Sequence, residues 1–456
     1  MKRLIFLLFA VLFLSYGYGQ IECYTIAVGK KASATGHVLV AHNEDDYGDL
    51  IVNIHRVPKI HQSSKYYTLI NGTQIPQQEY TFGYLWFETT QQDFGDMFVN
   101  DNGVAICSNA CRSREDTAKG LLTYDFRKLV ARRAMNARHA VMVAADLIKK
   151  YGYGSSGRTY CFADSSEVWL MAVVKGRHWI AVRVPDTAVA IVPNYYTIGE
   201  VNLSDRQNVM YSPDLVQYAI RRGWYDTTGG KPFNFRLAYS NQANLYAPWN
   251  IPRHWSGINQ LAKNKYGFYR TYPFAFAPKH KLSKEDLMSV LSSHYEGTDF
   301  ETNRSLHPNP HKSLISRICN IGTKFSTVVE FNTDLKKTIV WWAPLNPCIQ
   351  PYIPIALSLA MPPKEYFAHP WTQTMQYHFD KESTTFEANP DLAFSVFHAY
   401  NEKINSNYWK AIKKARKFKE AFQKEAEEKI YSSNNYAKTS AKIMQEFYKK
   451  EKSMVK

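Results

Sequence analysis

The chain has 456 residues, 45% hydrophobic and 14% aromatic, ample for a large buried core. Its six cysteines (Cys23, Cys107, Cys111, Cys161, Cys319, Cys348) are too few for a disulfide scaffold at this length. The net charge of +16 is uneven: residues 401–456 hold 15 Lys and Arg against 7 Asp and Glu, or +8, half of the excess in one segment.

In chain order, Lys2 and Arg3 precede an unbroken apolar run from Leu4 to Leu14, followed by Gly17-Tyr18-Gly19. This pattern predicts an export signal over residues 1–19. Eleven apolar residues are too short to span a bilayer, which takes about 20, so no stable membrane insertion is expected after processing. Residues 20–22 then read as a short propeptide, and a second, autocatalytic cut between Glu22 and Cys23 would make Cys23 the N-terminal residue. One residue would then carry a thiol nucleophile and an α-amino base with a pKa of about 7.7–8.0.

Alternation over Cys23–Gly29 and His37–Asn43 predicts a β-hairpin. Pairing Gly29 with His37 places Cys23 opposite Asn43 and brings Asp45 to the same end. A helix is expected over Tyr124–Tyr151, stopped by Gly152, and another opening at Ser283. Strands are expected at Val168–Val174, Trp179–Val184, Thr327–Phe331 and Thr338–Trp342. The mixed acids and bases from Asn401 onward predict solvated helices in a basic extension over 381–456, after a catalytic domain over 23–380. Aromatics are not interleaved there as base-stacking platforms, so no nucleic acid is expected. Cys107 and Cys111 lack a second ligand pair at zinc-finger spacing and read as buried thiols. Phosphate-loop, His-Glu-x-x-His and Gly-x-Ser-x-Gly motifs are missing, and neither a cofactor nor a metal is expected.

Several segments resemble, in order, the bacterial cysteine dipeptidases of the dipeptidase A type, relatives of the secernins. They are Cys23-Tyr24-Thr25, Val28-Gly29-Lys30-Lys31-Ala32-Ser33, Asn43-Glu44-Asp45, Asn100-Asp101-Asn102-Gly103-Val104-Ala105-Ile106, Ala163-Asp164-Ser165-Ser166-Glu167-Val168-Trp169 and His294-Tyr295-Glu296-Gly297-Thr298. More distantly they resemble the choloylglycine hydrolase and penicillin acylase group. The resemblance implies an N-terminal-nucleophile hydrolase with an α+β fold, a four-layer αββα sandwich. It implies Cys23 as nucleophile and base, Asp45 as the acid supporting it, Asn109 and Asn194 as oxyanion donors, and Arg317 as a late site arginine. His42 stands where the acylases carry arginine and is expected to titrate near neutrality; it and Glu44 are candidates for substrate binding. The implied substrates are dipeptides. N-acyl amides are the second reading, and a non-catalytic envelope protein binding polyanions through the basic tail is the third. A homo-oligomer is compatible with all three.

Overall fold

A computed structural model describes residues 23–456 apart from positions 270, 303, 306, 314 and 382–385. The expected signal (1–19) and propeptide (20–22) lie outside the described residues. The chain is α+β, with two large antiparallel sheets.

The first sheet has six strands: β1 (Tyr24–Val28), β2 (Leu39–Asp45), β10 (Val189–Val192), β12 (Thr323–Glu330), β13 (Ile339–Pro344) and β14 (Ile353–Ala356). Their order is β10-β1-β2-β12-β13-β14. The second has eight: β3 (Val52–Val57), β4 (Tyr84–Thr89), β5 (Met97–Asn100), β6 (Ala105–Ala110), β7 (Tyr153–Ala163), β8 (Val168–Gly176), β9 (Trp179–Arg183) and β11 (Val209–Tyr211). Their order is β11-β9-β8-β7-β6-β5-β4-β3.

Side chains along a strand alternate between faces, and the second sheet divides its residues accordingly. Ala105, Cys107, Cys161 and Leu170 join Ala27, Val40 and Val329 of the first sheet in one core. Ile106, Phe162 and Trp169 turn the other way, onto helices α1 (Asp125–Ala131) and α2 (Ala137–Tyr151). The sequence predicts one helix there; the structure breaks it at Asn136, whose side chain caps α2 by accepting from the His139 N–H. Gly152 ends α2 with φ +68°, a conformation that glycine adopts without strain. Ser283 opens the helix Lys284–Leu291 through a capping box with Asp286.

The hairpin register differs from the expected one. Val28 pairs with Leu39 and Tyr24 with Asn43, one residue away from the predicted alignment. Gly29 is drawn to the opposite neighbour, its N–H donating to the Ala188 carbonyl at 2.9 Å. A Cβ on Gly29 would lie 2.2 Å from the Pro185 oxygen, so only glycine passes there. A one-residue slip exchanges the faces of a strand, and here it decides what Cys23 meets.

The last three helices, Ala393–Asn405, Tyr408–Tyr431 and Tyr436–Val455, do not hang off the sheets. Phe397, Phe422, Ile443 and Phe447 share the main core with β13 and β14. Ser440 accepts from the Ala356 N–H and donates to the Pro354 carbonyl. The basic residues occupy the outward faces: Lys413, Lys414, Lys417 and Lys424 are exposed or half-buried, whereas Ile412, Ala415 and Phe422 are buried. Phe447→Ala is expected to destabilise the protein by about 3–5 kcal/mol, measured by chemical denaturation. An unchanged midpoint would mean that these helices do not contribute to the core.

Candidate active site

Cys23, Thr25, His42 and Glu44 share one face of β1 and β2, the face turned toward β6. The Cys23 thiol donates to Glu44 Oε1 at 3.1 Å. Glu44 Oε2 lies 3.0 Å from His42 Nε2, and His42 Nδ1 lies 2.8 Å from Thr25 Oγ1. Thr25 donates to Asn109 Oδ1 at 2.5 Å, and Asn109 Nδ2 donates to the Val192 carbonyl at 2.9 Å. All five side chains are buried. Asn43, on the other face, ties β2 outward by donating to the Leu291 and Ile318 carbonyls.

Asp45 follows, its backbone carbonyl 4.0 Å from the Cys23 sulfur, where the pairing of β2 with its partner strand is irregular. The β2–β12 register shifts at Lys324, so that Glu44 faces Phe325 and Asp45 faces Thr323. Such bulges re-aim a side chain. The Asn320 amide donates to Asp45 Oδ2, while Asp45 Oδ1 is buried with no partner among the described residues. On the neighbouring side, Arg253 donates to the Cys23 carbonyl at 3.2 Å and to Asn194 Oδ1 at 2.9 Å. Asn250, one turn earlier on the helix Asn250–Leu261, accepts from the Asn194 N–H and from Arg253. The Asn194 Nδ2 donor is left buried with no partner among the described residues.

The predicted residues are therefore not brought together equally. Cys23, His42, Glu44 and Asp45 form one contiguous group, and Asn194 joins it through Arg253. Asn109 supports rather than faces the thiol, since its oxygen and one amide hydrogen are spent on Thr25 and Val192. Arg317 is directed elsewhere: its guanidinium donates to Thr302 and Ser313 and lies over the Tyr295 ring. The arginine next to Cys23 and Asn194 is Arg253.

A second group was not foreseen. Arg158 packs over the Phe94 ring at 4.0 Å, with its Nε and Nη1 buried and unpartnered among the described residues. Asp46 Oδ2 is likewise buried and unpartnered. It lies against Gly95, where a Cβ would come within 2.6 Å. Gly157, at φ +132°, is the one visible sign of Arg158, because a glycine inside a strand pattern marks a bulge, and β7 shifts register between Tyr153 and Gly157. Arg253, 230 residues from Cys23 and 59 from Asn194, carries no comparable signal.

Electrostatics follow from burial. Desolvation, with Glu44 adding to it, pushes the Cys23 thiol well above its ordinary range, and Arg158 only partly opposes this. With residue 22 still attached, the sulfur is a protonated donor. Burial raises Asp45 to about 7 against the hydrogen bonds of Thr323 and Asn320. His42 behaves contrary to the expectation of a neutral-pH titration. Burial disfavours its charge, but Cys107 and Glu44 prevail and push it up to about 10. Cys107 is brought down to about 5, first by the hydrogen bond from Cys161 and then, against burial, by His42. The balance at His42 thus favours its charged form.

Around Cys23 the fold thus gathers two carboxylates, a buried amide donor and two ionic groups without partners among the described residues. Residues 22–411 match the model of Peptidase family C69, and the chain belongs to that family of peptidases. It is 29% identical over 320 residues to a probable dipeptidase of Salmonella dublin, covering 66% of this chain and 73% of that one. It is 24% identical over 432 residues to dipeptidase A of Lactobacillus helveticus, covering 89% of each. Among solved structures, penicillin V acylase from Agrobacterium tumefaciens aligns with 14% identity and a TM-score of 0.35, over 74% of this chain and 87% of that one.

The His42 shift has a definite sign. A folded-state pKa raised from 6.5 to about 10 contributes stability in full below about pH 6.5, lost as pH rises through about 10. The melting-temperature gap between the parent and His42→Gln is therefore expected to be widest near pH 6 and to close toward pH 10. A gap independent of pH would show that His42 is neutral.

Proposed function

We propose that this chain is an exported dipeptidase in which Cys23, freed by removal of residues 1–22, serves as nucleophile and its own amine as base. The observation that carries the reading is a pair of buried ionisable groups near Cys23 whose polar atoms lack partners among the described residues: Arg158 Nε and Nη1, and Asp46 Oδ2, whose charge burial disfavours until a cation meets it. Both groups act on the Cys23 thiol electrostatically. A buried charge with no partner is costly, and a free dipeptide brings an ammonium and a carboxylate that would satisfy both. An N-acyl amide lacks that ammonium, which favours the peptide reading over the acylase one.

Export is supported by Lys2-Arg3, the Leu4–Leu14 run and Gly17-Tyr18-Gly19. The second cut is supported by Asp45 Oδ1, whose missing partner a new Cys23 ammonium would supply. The two sheets sharing one core, with α1 and α2 outside one and the C-terminal helices against the other, support a four-layer αββα arrangement.

The mechanism then runs through residues already in place. The Cys23 amine takes the thiol proton, and the thiolate attacks the scissile carbonyl carbon. The oxyanion that forms accepts from Asn194 Nδ2, whose Oδ1 is pinned by Arg253. The protonated amine passes its proton to the leaving nitrogen as the C–N bond breaks, leaving a thioester. Water, activated by the same amine, attacks the thioester and restores the thiol. Arg158 takes the substrate carboxylate, and Asp46, with Glu44 behind it, takes the ammonium. Asp45 holds the Cys23 ammonium that forms when the amine takes the thiol proton.

Cys23→Ala is expected to abolish hydrolysis with the fold intact. Asn194→Ala should lower kcat by about 10²–10³-fold with little change in KM, the usual cost of one oxyanion donor. Equal losses in kcat and in ground-state binding would place Asn194 elsewhere.

Arg158→Leu should lower kcat/KM on free dipeptides by about 10- to 100-fold, the worth of hydrogen bonds to a charged group. Its rates on dipeptide amides should be nearly unchanged. A parent enzyme that hydrolyses N-acetyl dipeptides or dipeptide amides as fast as free dipeptides would sink the zwitterion site.

A further inference from the structure

Four side chains outside the hydrolytic site converge at one point. His294 follows the helix Lys284–Leu291, His311 lies in the short turn Pro310–Lys312, Cys319 precedes Asn320, and Cys348 lies between β13 and β14. All four are buried, and one donor atom from each lies within 4.8 Å of the others. His311 Nε2 is 3.1 Å from the Cys348 sulfur and 3.6 Å from the Cys319 sulfur.

The outer nitrogens of both rings are already engaged. His294 Nδ1 lies 3.0 Å from Glu296 Oε1, and His311 Nδ1 lies 2.8 Å from Asn405 Oδ1. Each partner is an acceptor, which holds the ring proton on Nδ1 and turns the Nε2 lone pair inward. Outer acceptors of this kind are the usual orienting groups for metal-bound histidines. His294 Nε2 is buried without a hydrogen-bond partner among the described residues. Around the sulfurs stand weak donors: Tyr408 Oη at 3.8 Å from Cys348 and Asn346 Nδ2 at 3.9 Å from Cys319.

We propose that His294, His311, Cys319 and Cys348 form a closed, structural Cys2His2 zinc site. Metal–sulfur distances of about 2.3 Å and metal–nitrogen distances of about 2.0–2.1 Å give tetrahedral N···S edges near 3.5 Å, and the two observed separations bracket that value. Two thiolates neutralise the divalent ion, so the loaded site is buried without net charge. An entry route exists: Cys348 lines a cavity of about 1140 Å³ that also touches Ser293, Glu296, Arg416 and Lys419. The four ligands leave no open position, so the ion is a clip rather than a catalyst. It joins three chain segments, one of which continues directly into Asn320, the residue that supports Asp45.

The test is the zinc content of the folded full chain, purified without chelators and measured by inductively coupled plasma mass spectrometry. One zinc per chain is expected. It should fall to background in Cys348→Ser and in His311→Ala and persist in Cys111→Ser. Protein produced in cobalt-supplemented medium should show a thiolate-to-cobalt charge-transfer band that weakens in Cys348→Ser, with folding of each variant followed by circular dichroism. The proposal is overturned if the folded parent carries no stoichiometric zinc. It is equally overturned if its intact mass shows Cys319 and Cys348 joined as a disulfide, or if Cys348→Ser and His311→Ala stay fully loaded.

Discussion

The interaction on which the rest of this structure depends is the buried pair of His42 and Glu44. A carboxylate taken out of water beside a thiol is unfavourable unless a cation is buried with it. His42 supplies that cation, and its surroundings favour the charged form: Cys107 and Glu44 raise its pKa, and Thr25 takes up the other ring nitrogen. The Cys107 pKa is in turn lowered first by the hydrogen bond of its cross-strand partner Cys161. The alignment that opposes Tyr24 with Asn43 is what sets Thr25 against His42 and leaves Cys23 to meet Glu44. Register, side-chain chemistry and charge balance are thus one constraint, set in the two strands that open the described chain.

That dependence explains what was legible beforehand. Strand and helix identities follow from local pattern, so β8, β9, β13 and the capped helix at Ser283 stand close to where periodicity places them. Cys23, Glu44 and Asp45 were visible because they lie in one short hairpin. The exact register was not, since Gly29 is captured by a segment 157 residues later in the chain, around Asp186. The ionisation of His42 was not legible either, because Cys107 comes from the other sheet. Asn194 stood out by resemblance, whereas Arg253 reaches it only through the packing of a distant helix. Arg317 was a plausible arginine in the wrong place, as a lone Ser-Arg pair carries no information about the direction of its side chain.

The basic tail shows the same limit. Its composition announces helices correctly, and its charges do lie on outward faces. What composition conceals is the opposite stripe, where Phe422, Phe447 and Met444 close the core over β13 and β14. Some of the charge is also internally matched: Lys429 bridges Glu425 and Glu446, and Lys284 reaches Glu427 from the body of the protein. A surface this closely tied to the core offers less free positive charge than the count of lysines implies.

The partners of β2 also set an order of events. β2 is flanked by β12, whose residues lie about 280 positions later, and its outward face is held by the Leu291 and Ile318 carbonyls. Contacts of such sequence separation form slowly, because loop closure precedes any gain from them. During synthesis the amino-terminal hairpin leaves the ribosome long before the strand that completes it. The surroundings of Cys23 are therefore assembled among the last features of the molecule, although Cys23 is among the first residues made. The pocket around a residue near the front of the chain stays unformed until nearly everything behind it has folded.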